Sequence, residues 1–537
     1  MTRILTRDGA ATHRPSLSDT RDHDLWGRER AVIDPRFPDA FERRTVRAIS
    51  PDMNHAPRPD STRGHPVWTL GLLPLFILAS SCSQPAPPAP AQPNIVLIYA
   101  DDLGWRDLGV QGSRYYETPN IDRLAAEGMR FTDAYANAPN CAPSRAALLS
   151  GQYAPRTGVY TVGTAERGPV EARALLPVEN ETTLGLDVVT IAEVLSDAGY
   201  ATGHAGKWHL GGEGFLPEDQ GFSWSIAGNE AGAPPDYFYP YARGDRRVPG
   251  LEDGTEGEYL PERLVEESIG FIDRAQDGPF FLYLSHYTVH TPIQAREEIA
   301  DRYRAKPPAD GHEDPTYAAM IESLDQGVGR ILDALEERGL SENTVVIFAS
   351  DNGGFGPITS MAPLRGSKGM LYEGGIRTPL IVRWPGGIEP GGTSATPVIG
   401  LDLYPTLAEL AGGSLPDTQP HDGVSLVAEL TGSGAIPERD LIWHFPAYLQ
   451  ADRSVAGTWR TTPASALRRG PYKVIHFFED DRWEVYDVTT DVSETNDLSR
   501  ARPELTEALR SSLRTWWSDV DAFLPTEPNP LYRGEAN

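Results

Sequence analysis

Four stretches of this chain are apolar without alternation: Asn94–Ala100, Phe280–Ser285, Thr344–Ser350 and Leu380–Trp384. A strand with one wet face alternates, whereas an unbroken apolar run of strand length is covered on both faces, as in a largely parallel sheet. Helical periodicity fills the intervals at Asn120–Gly128, Val189–Gly199, Tyr259–Ala275 and Tyr317–Gly339, and several of these segments stop at a glycine. Strands alternating with helices predict an α/β fold, a large doubly wound sheet, mostly parallel or mixed, flanked by helices. After Leu410-Ala-Gly-Gly413 the pattern changes to short strands around Leu441, Tyr472 and Trp483 with a turn at Glu479–Arg482, then a helix at Leu505–Trp517. That predicts a smaller α+β subdomain with a short antiparallel sheet. The expected division is 94–415 and 416–537. Segments 205–260 and 352–375 are rich in Gly and Pro and read as long loops, which in compact domains are usually functional.

The N-terminal region does not fit this fold. Residues 67–78 form an apolar run too short to span a bilayer and of the right length for an export signal. The run ends in Ala79-Ser80-Ser81-Cys82, which resembles a loose bacterial lipobox with Cys82 as the lipidated residue. Residues 53–82 are therefore read as a signal peptide and 83–93 as a Pro/Ala linker. Residues 1–52 are read as an extension ahead of a start at Met53. The expected location is periplasmic or cell-surface, with the membrane touched only through a lipid anchor.

Charge narrows the partners. Over 537 residues, 76 acidic side chains outweigh 48 basic ones, for a net charge of −28. Nucleic acid needs a basic footprint and is excluded as a partner. Only four basic residues are lysine: Lys207, Lys306, Lys368 and Lys473. Where a generic cation suffices this chain uses arginine, so Lys207 and Lys368, in Gly206-Lys-Trp-His209 and Arg365-Gly-Ser-Lys368, mark places that need a compact ammonium. Lys473 is expected to pin the C-terminal subdomain, and Lys306 to be plain surface.

Two apolar strands end in oxygen ligands, Asp101-Asp102 and Asp351-Asn352. In open α/β sheets ligands bind at that edge. Adjacent carboxylates are costly to bury without a cation, and an added Asp-Asn pair makes an oxygen-rich site for a hard divalent ion, calcium before magnesium. Taken singly, each pair is also good turn chemistry.

The chain holds only two cysteines, Cys82 and Cys141. Cys141 opens Cys-Ala-Pro-Ser-Arg145, followed by Ala-Ala-Leu-Leu-Ser-Gly151. This pentapeptide resembles the signature of the type I sulfatases, members of the alkaline-phosphatase-like superfamily, in which the cysteine is oxidised to formylglycine. With the carboxylate pairs, the lysines and His209 and His290 in the same order, the resemblance covers about 94 to 500. It implies Asp101, Asp102, Asp351, Asn352 and modified Cys141 as metal ligands. Pro143, Ser144 and Arg145 would be read by a formylglycine-generating enzyme, and Arg145 would then hold the modified side chain. Lys207 and Lys368 would clamp sulfate oxygens. One hydroxyl of the hydrated aldehyde would attack sulfur and the second would release sulfate. His290, helped by Lys368, would protonate the leaving alcohol, and His209 would deprotonate the second hydroxyl.

The expected reaction is hydrolysis of sulfate monoesters, in an exo-acting enzyme on sulfated saccharides. A broad arylsulfatase and a phosphonate or phosphoester hydrolase of the same superfamily stay open, as does an inactive sulfated-glycan-binding lipoprotein. For the sugar, His444 and Tyr448 are candidate contacts from the C-terminal subdomain, while the neighbouring Trp443 and Phe445 are equally good core residues.

Overall fold

The computed structural model describes residues 92–534. The export segment, Cys82 and the linker up to residue 91 lie outside these residues. Among the described residues no helix is long and apolar enough to cross a membrane.

An eight-stranded mixed sheet forms the centre. Its order is Gly392–Ser394, Met129–Phe131, Leu380–Arg383, Thr344–Ser350, Asn94–Ala100, Phe280–Ser285, Ala201–Gly206 and Trp224–Ile226. The three longest apolar runs lie side by side and parallel at its middle, where both faces are covered. From strand Asn94–Ala100, Val96 and Ile98 pack to one side with Leu264, Ile321 and Leu324 of helices Leu260–Ala275 and Pro315–Glu337. Ile95, Leu97 and Tyr99 pack to the other with residues of helices Cys141–Ser150, Ile191–Asp197 and Leu403–Leu410. Each such fully buried aliphatic side chain contributes roughly 1.5–3 kcal/mol.

Two features depart from the sequence reading. Leu380–Arg383 is a strand as expected, but it runs antiparallel to both neighbours. Strand Ala201–Gly206 was hidden because Ala-Thr-Gly-His-Ala-Gly carries no apolar run. Its small residues are a packing requirement: at Gly206 (φ +109°) a Cβ would fall 2.0 Å from the Ser285 carbonyl oxygen, so neither the conformation nor the space admits a side chain.

A separate four-stranded antiparallel sheet follows, in the order Asp440–Phe445, Ala464–Arg469, Tyr472–Phe477 and Arg482–Asp487, with helix Pro503–Asp519 against it. Lys473 from this sheet is fully buried between Glu373 Oε1 (3.0 Å) and Glu494 Oε1 (2.9 Å). Since Glu373 lies five residues after Lys368, this ion pair ties the small sheet to the lysine-bearing loop. Lys306 sits at the surface with Glu117.

Three buried histidines away from the carboxylate pairs set a pH dependence. Burial lowers His204 to about 3, and His286 and His444 to about 4. Their unfolded counterparts titrate near 6.5, so between those values the unfolded chain binds protons that the folded chain refuses. Stability is therefore intact above pH 6.5 and drains as pH falls toward 4. The thermal unfolding midpoint is expected to fall steadily across that window. In a His286→Leu variant, whose parent ring makes no hydrogen bond among the described residues, the decline should be shallower.

Candidate active site

Register brings the two carboxylate pairs together. Ala100 and Ser350 are paired neighbours on adjacent parallel strands, so Asp101-Asp102 and Asp351-Asn352 leave the sheet at the same level. The Asp102 amide donates to Asp351 Oδ1 at 3.1 Å. On the other side Gly206 pairs with Ser285, and the next residue, Lys207, extends its ammonium to Asp101 Oδ2 at 2.7 Å. Asp101, Lys207 and Asp351 are wholly inaccessible.

Cys141 is the first residue of helix Cys141–Ser150, and Asn140 caps it by accepting the Cys141 amide at 3.0 Å. The positive dipole end of this helix therefore lies at the residue whose thiol meets the carboxylates. The Cys141 thiol lies 3.5 Å from Asp101 Oδ1 and 3.8 Å from Asp102 Oδ1. Lys368 arrives from the long loop, with Nζ 3.2 Å from Cys141 Sγ and 2.6 Å from Asp102 Oδ1. One turn along the helix from Cys141, Arg145 points beneath the site, donating to Asp351 Oδ2 through Nε (3.1 Å) and Nη2 (2.8 Å) and to Ser285. It braces the floor, and among the described residues it makes no hydrogen bond to Cys141.

His290 Nε2 approaches Asp102 Oδ2 at 3.7 Å, and its Nδ1 meets the Thr291 carbonyl oxygen at 2.8 Å. His209 lines the same cavity. Its backbone is left-handed (φ 63°), as is that of Asp102 (φ 63°), a strain of about 1 kcal/mol or more for each that clusters at functional positions.

The charges are unevenly settled. Burial, then the nearby Asp351 carboxylate, pushes Asp101 up to about 8. Burial would raise Asp102 too, but Lys368, His290 and Lys207 outweigh it and hold that carboxyl below the usual range. Burial raises the Cys141 thiol well above its ordinary value despite Lys207 and Lys368. Burial opposes the Lys368 ammonium, yet Asp102 keeps it protonated. Burial and Lys368 lower His290 to about 3, and burial with Lys207 holds His209 far below its ordinary value. A thiol held neutral is a poor nucleophile, so the unmodified cysteine is not equipped to attack.

The donor set fits a hard divalent cation. Asp101, Asp102, Cys141 and His290 offer ligand atoms within 4.8 Å of one another. The Asn352 amide N donates to Asp102 Oδ1 at 2.8 Å, while its own Oδ1 is buried and has no partner among the described residues. An orphaned amide oxygen beside three carboxylates is what an oxygen-ligated ion would satisfy.

The cleft above has a volume of about 320 Å³ and is lined by Asp102, Cys141, His209, His290 and Lys368 among others. The described residues thus bring ten of the twelve sequence candidates together. His444 and Tyr448 are the two exceptions and require correction. His444 is buried between Ser465 Oγ (2.6 Å) and the Phe523 carbonyl oxygen (2.9 Å). Tyr448 is fully inaccessible, its hydroxyl bonded to Glu479 (2.7 Å) and the Leu175 amide (3.0 Å). Both belong to packing because strand Asp440–Phe445 and the turn after it face inward. Arg167, Arg246 and Arg460 also line the cleft. No motif marks them in sequence.

The sulfatase family matches residues 93–414, and the C-terminal region of N-sulphoglucosamine sulphohydrolase matches 367–518. This chain belongs to the sulfatase family. A sulfatase of Formosa agariphila is 37% identical over 522 residues, covering 83% of this chain and 92% of that one. Human arylsulfatase A is 34% identical over 503 residues, covering 82% and 91%. Among solved structures, Ps i-CgsB in complex with k-i-k-neocarrahexaose is similar with a TM-score of 0.66 and 30% identity, covering 81% of this chain and 95% of that one. The sulfatase is thus a sulfuric ester hydrolase of the alkaline-phosphatase-like superfamily.

Proposed function

We propose that the sulfatase hydrolyses sulfate monoesters of saccharides, using formylglycine made from Cys141 and one divalent cation, calcium in preference to magnesium. The observation that carries this reading is the meeting of Cys141 Sγ, at a helix start, with Asp101, Asp102 and Lys368. Asp101, Asp102, Asp351, Asn352 and residue 141 would hold the ion. When formed, the hydrated aldehyde supplies a hydroxyl nucleophile and the ion supplies positive charge against the sulfate.

The remaining work falls to the chain's own side chains. Lys207 and Lys368, the two ammonium-bearing side chains of the site, neutralise the non-bridging sulfate oxygens. A bound anion beside His290 favours its imidazolium, and the His290–Lys368 pair then delivers a proton to the departing alcohol oxygen. His209, held neutral, takes up the proton released at residue 141. Arg145 keeps Asp351 in place by a two-pronged contact.

The saccharide assignment draws on the carrahexaose bound by the similar Ps i-CgsB. The division at 415, the export signal over 53–82, lipidation at Cys82 and service by a formylglycine-generating enzyme belong to the same reading. Its nearest rivals are a broad arylsulfatase and a phosphonate or phosphoester hydrolase. A sulfate and a phosphate monoester of one aryl alcohol separate the chemistry. Turnover of the sulfate ester is expected to exceed that of the phosphate ester by at least about a hundredfold in kcat/KM, a difference of about 3 kcal/mol in transition-state stabilisation. A preference for phosphate contradicts the proposal.

A further inference from the structure

Beyond the sulfate-binding floor, the cleft is walled by cations from three separate parts of the chain. Arg167 comes from the loop after the short helix Ala154–Thr157, Arg246 from the hairpin Ala242–Arg247, and Arg460 from the strand Trp459–Thr461. Asp102, on the floor, is the one carboxylate among the residues lining this cleft. In a chain of net charge −28, three arginines facing one cavity reverse the local field.

Two of the three are built into the wall. The Arg460 guanidinium is anchored to Asp452 at 2.9 Å, and its buried Nε has no partner among the described residues. It rests against Gly369, the neighbour of Lys368, where a Cβ would come within 2.9 Å of that Nε. Arg167 donates to the Val162 carbonyl oxygen, and among the described residues it has no carboxylate partner. At Gly168, beside it, a Cβ would fall 2.5 Å from the Trp459 ring, so the two loops are pressed together. Tyr448 backs this contact, its ring 4.8 Å from that of Trp459. Burial, and then the Arg460 cation, makes the Arg167 guanidinium easier to deprotonate than an exposed one. Asp452 balances Arg460, whereas no described carboxylate balances Arg167, which leaves charge on the wall for an anion to meet. Arg246 is exposed and has no described acidic partner.

We infer that this cleft recognises a second anionic group on the substrate, a carboxylate or another sulfate, through Arg167, Arg246 and Arg460. The inference rests on the carbohydrate-sulfatase reading and deepens it: the substrate is a saccharide carrying at least two anions, one of them the ester to be cleaved. Such contacts are charge-assisted, and the loss of one costs about tenfold in affinity.

The test uses the calcium-loaded enzyme with Cys141 oxidised, turning over 4-nitrophenyl sulfate. Three competitors are compared: N-acetylgalactosamine 6-sulfate, with one anion; a chondroitin disaccharide bearing that sulfate and a uronate carboxylate; and a carrageenan hexasaccharide, with several sulfates and no carboxylate. At least one of the last two should inhibit about tenfold more strongly than the first, and which one identifies the second anion. Arg167→Gln and Arg246→Gln should each remove most of that advantage while shifting inhibition by the monosulfated sugar much less. Arg246 stands on an exposed hairpin, so its variant tests the idea even where a wall variant misfolds. Equal inhibition by all three competitors, or an equal loss for all three in the Arg246 variant, overturns the inference. Failure to cleave the aryl sulfate contradicts the proposed chemistry instead, and calorimetric binding of the same competitors then decides the inference alone.

Discussion

A Cys141→Ala variant is expected to fold as the parent does and to lose at least about 10⁴-fold in turnover of sulfate esters, the scale seen when a nucleophile is removed from a preorganised site. The fold should survive because the helix start depends on Asn140, which accepts the residue 141 amide, and not on the thiol. Removing Sγ frees Lys368 from one of its contacts, yet its ion pair to Asp102 at 2.6 Å persists. The chemistry does not survive, because the nearby lysines and carboxylates are committed to one another and His209 and His290 are assigned to proton transfer, not to attack on sulfur. Circular dichroism with a thermal melt reads the first part and aryl sulfate turnover the second. Residual activity within tenfold of the parent would place the nucleophile elsewhere.

Removal of the proposed divalent ion is expected to be nearly as damaging. Three carboxylates, Asp101, Asp102 and Asp351, converge where burial and mutual repulsion already push Asp101 up to about 8, and Asn352 Oδ1 has no partner among the described residues. A chelator is expected to abolish activity and calcium to restore it. Calcium at about a hundred times its dissociation constant should stabilise the fold by about 2.7 kcal/mol, a rise in melting temperature of about 3 °C for a chain of this size. Asn352→Ala should raise the calcium concentration needed for both effects by about tenfold or more. The melting shift is independent of turnover, so it tests the ion even in unmodified protein. An Asn352→Ala variant that binds calcium as tightly as the parent rules that oxygen out as a ligand.

The central strands were legible because Val96, Ile98, Phe348 and Leu282 must be apolar to lie buried between two helical layers, and an unbroken run has few other readings. The carboxylate pairs and Cys141 were legible because strand ends and a five-residue motif are local. Strand Ala201–Gly206 was not, since its residues were selected to be small against Phe271 and the Ser285 backbone, a constraint set by distant parts of the chain. The direction of Leu380–Arg383 was equally unreadable, because burial of a strand does not depend on its polarity. His444 and Tyr448 misled for a related reason: polar aromatic residues near a motif suit sugar binding, but each has its hydrogen bonds satisfied inside the packing. The arginines of the cleft wall carry no sequence signal, being scattered over residues 167 to 460 and brought together only by the fold.

The proposed mechanism depends on residue 141 working as an aldehyde. The most direct test is the mass of the tryptic peptide Phe131–Arg145 from protein made with and without a formylglycine-generating enzyme, each preparation assayed on the same aryl sulfate. Specific activity is expected to rise in proportion to the fraction of peptide carrying the aldehyde in place of the thiol, and to vanish with that fraction. Full activity in protein whose peptide retains an intact cysteine thiol would contradict it.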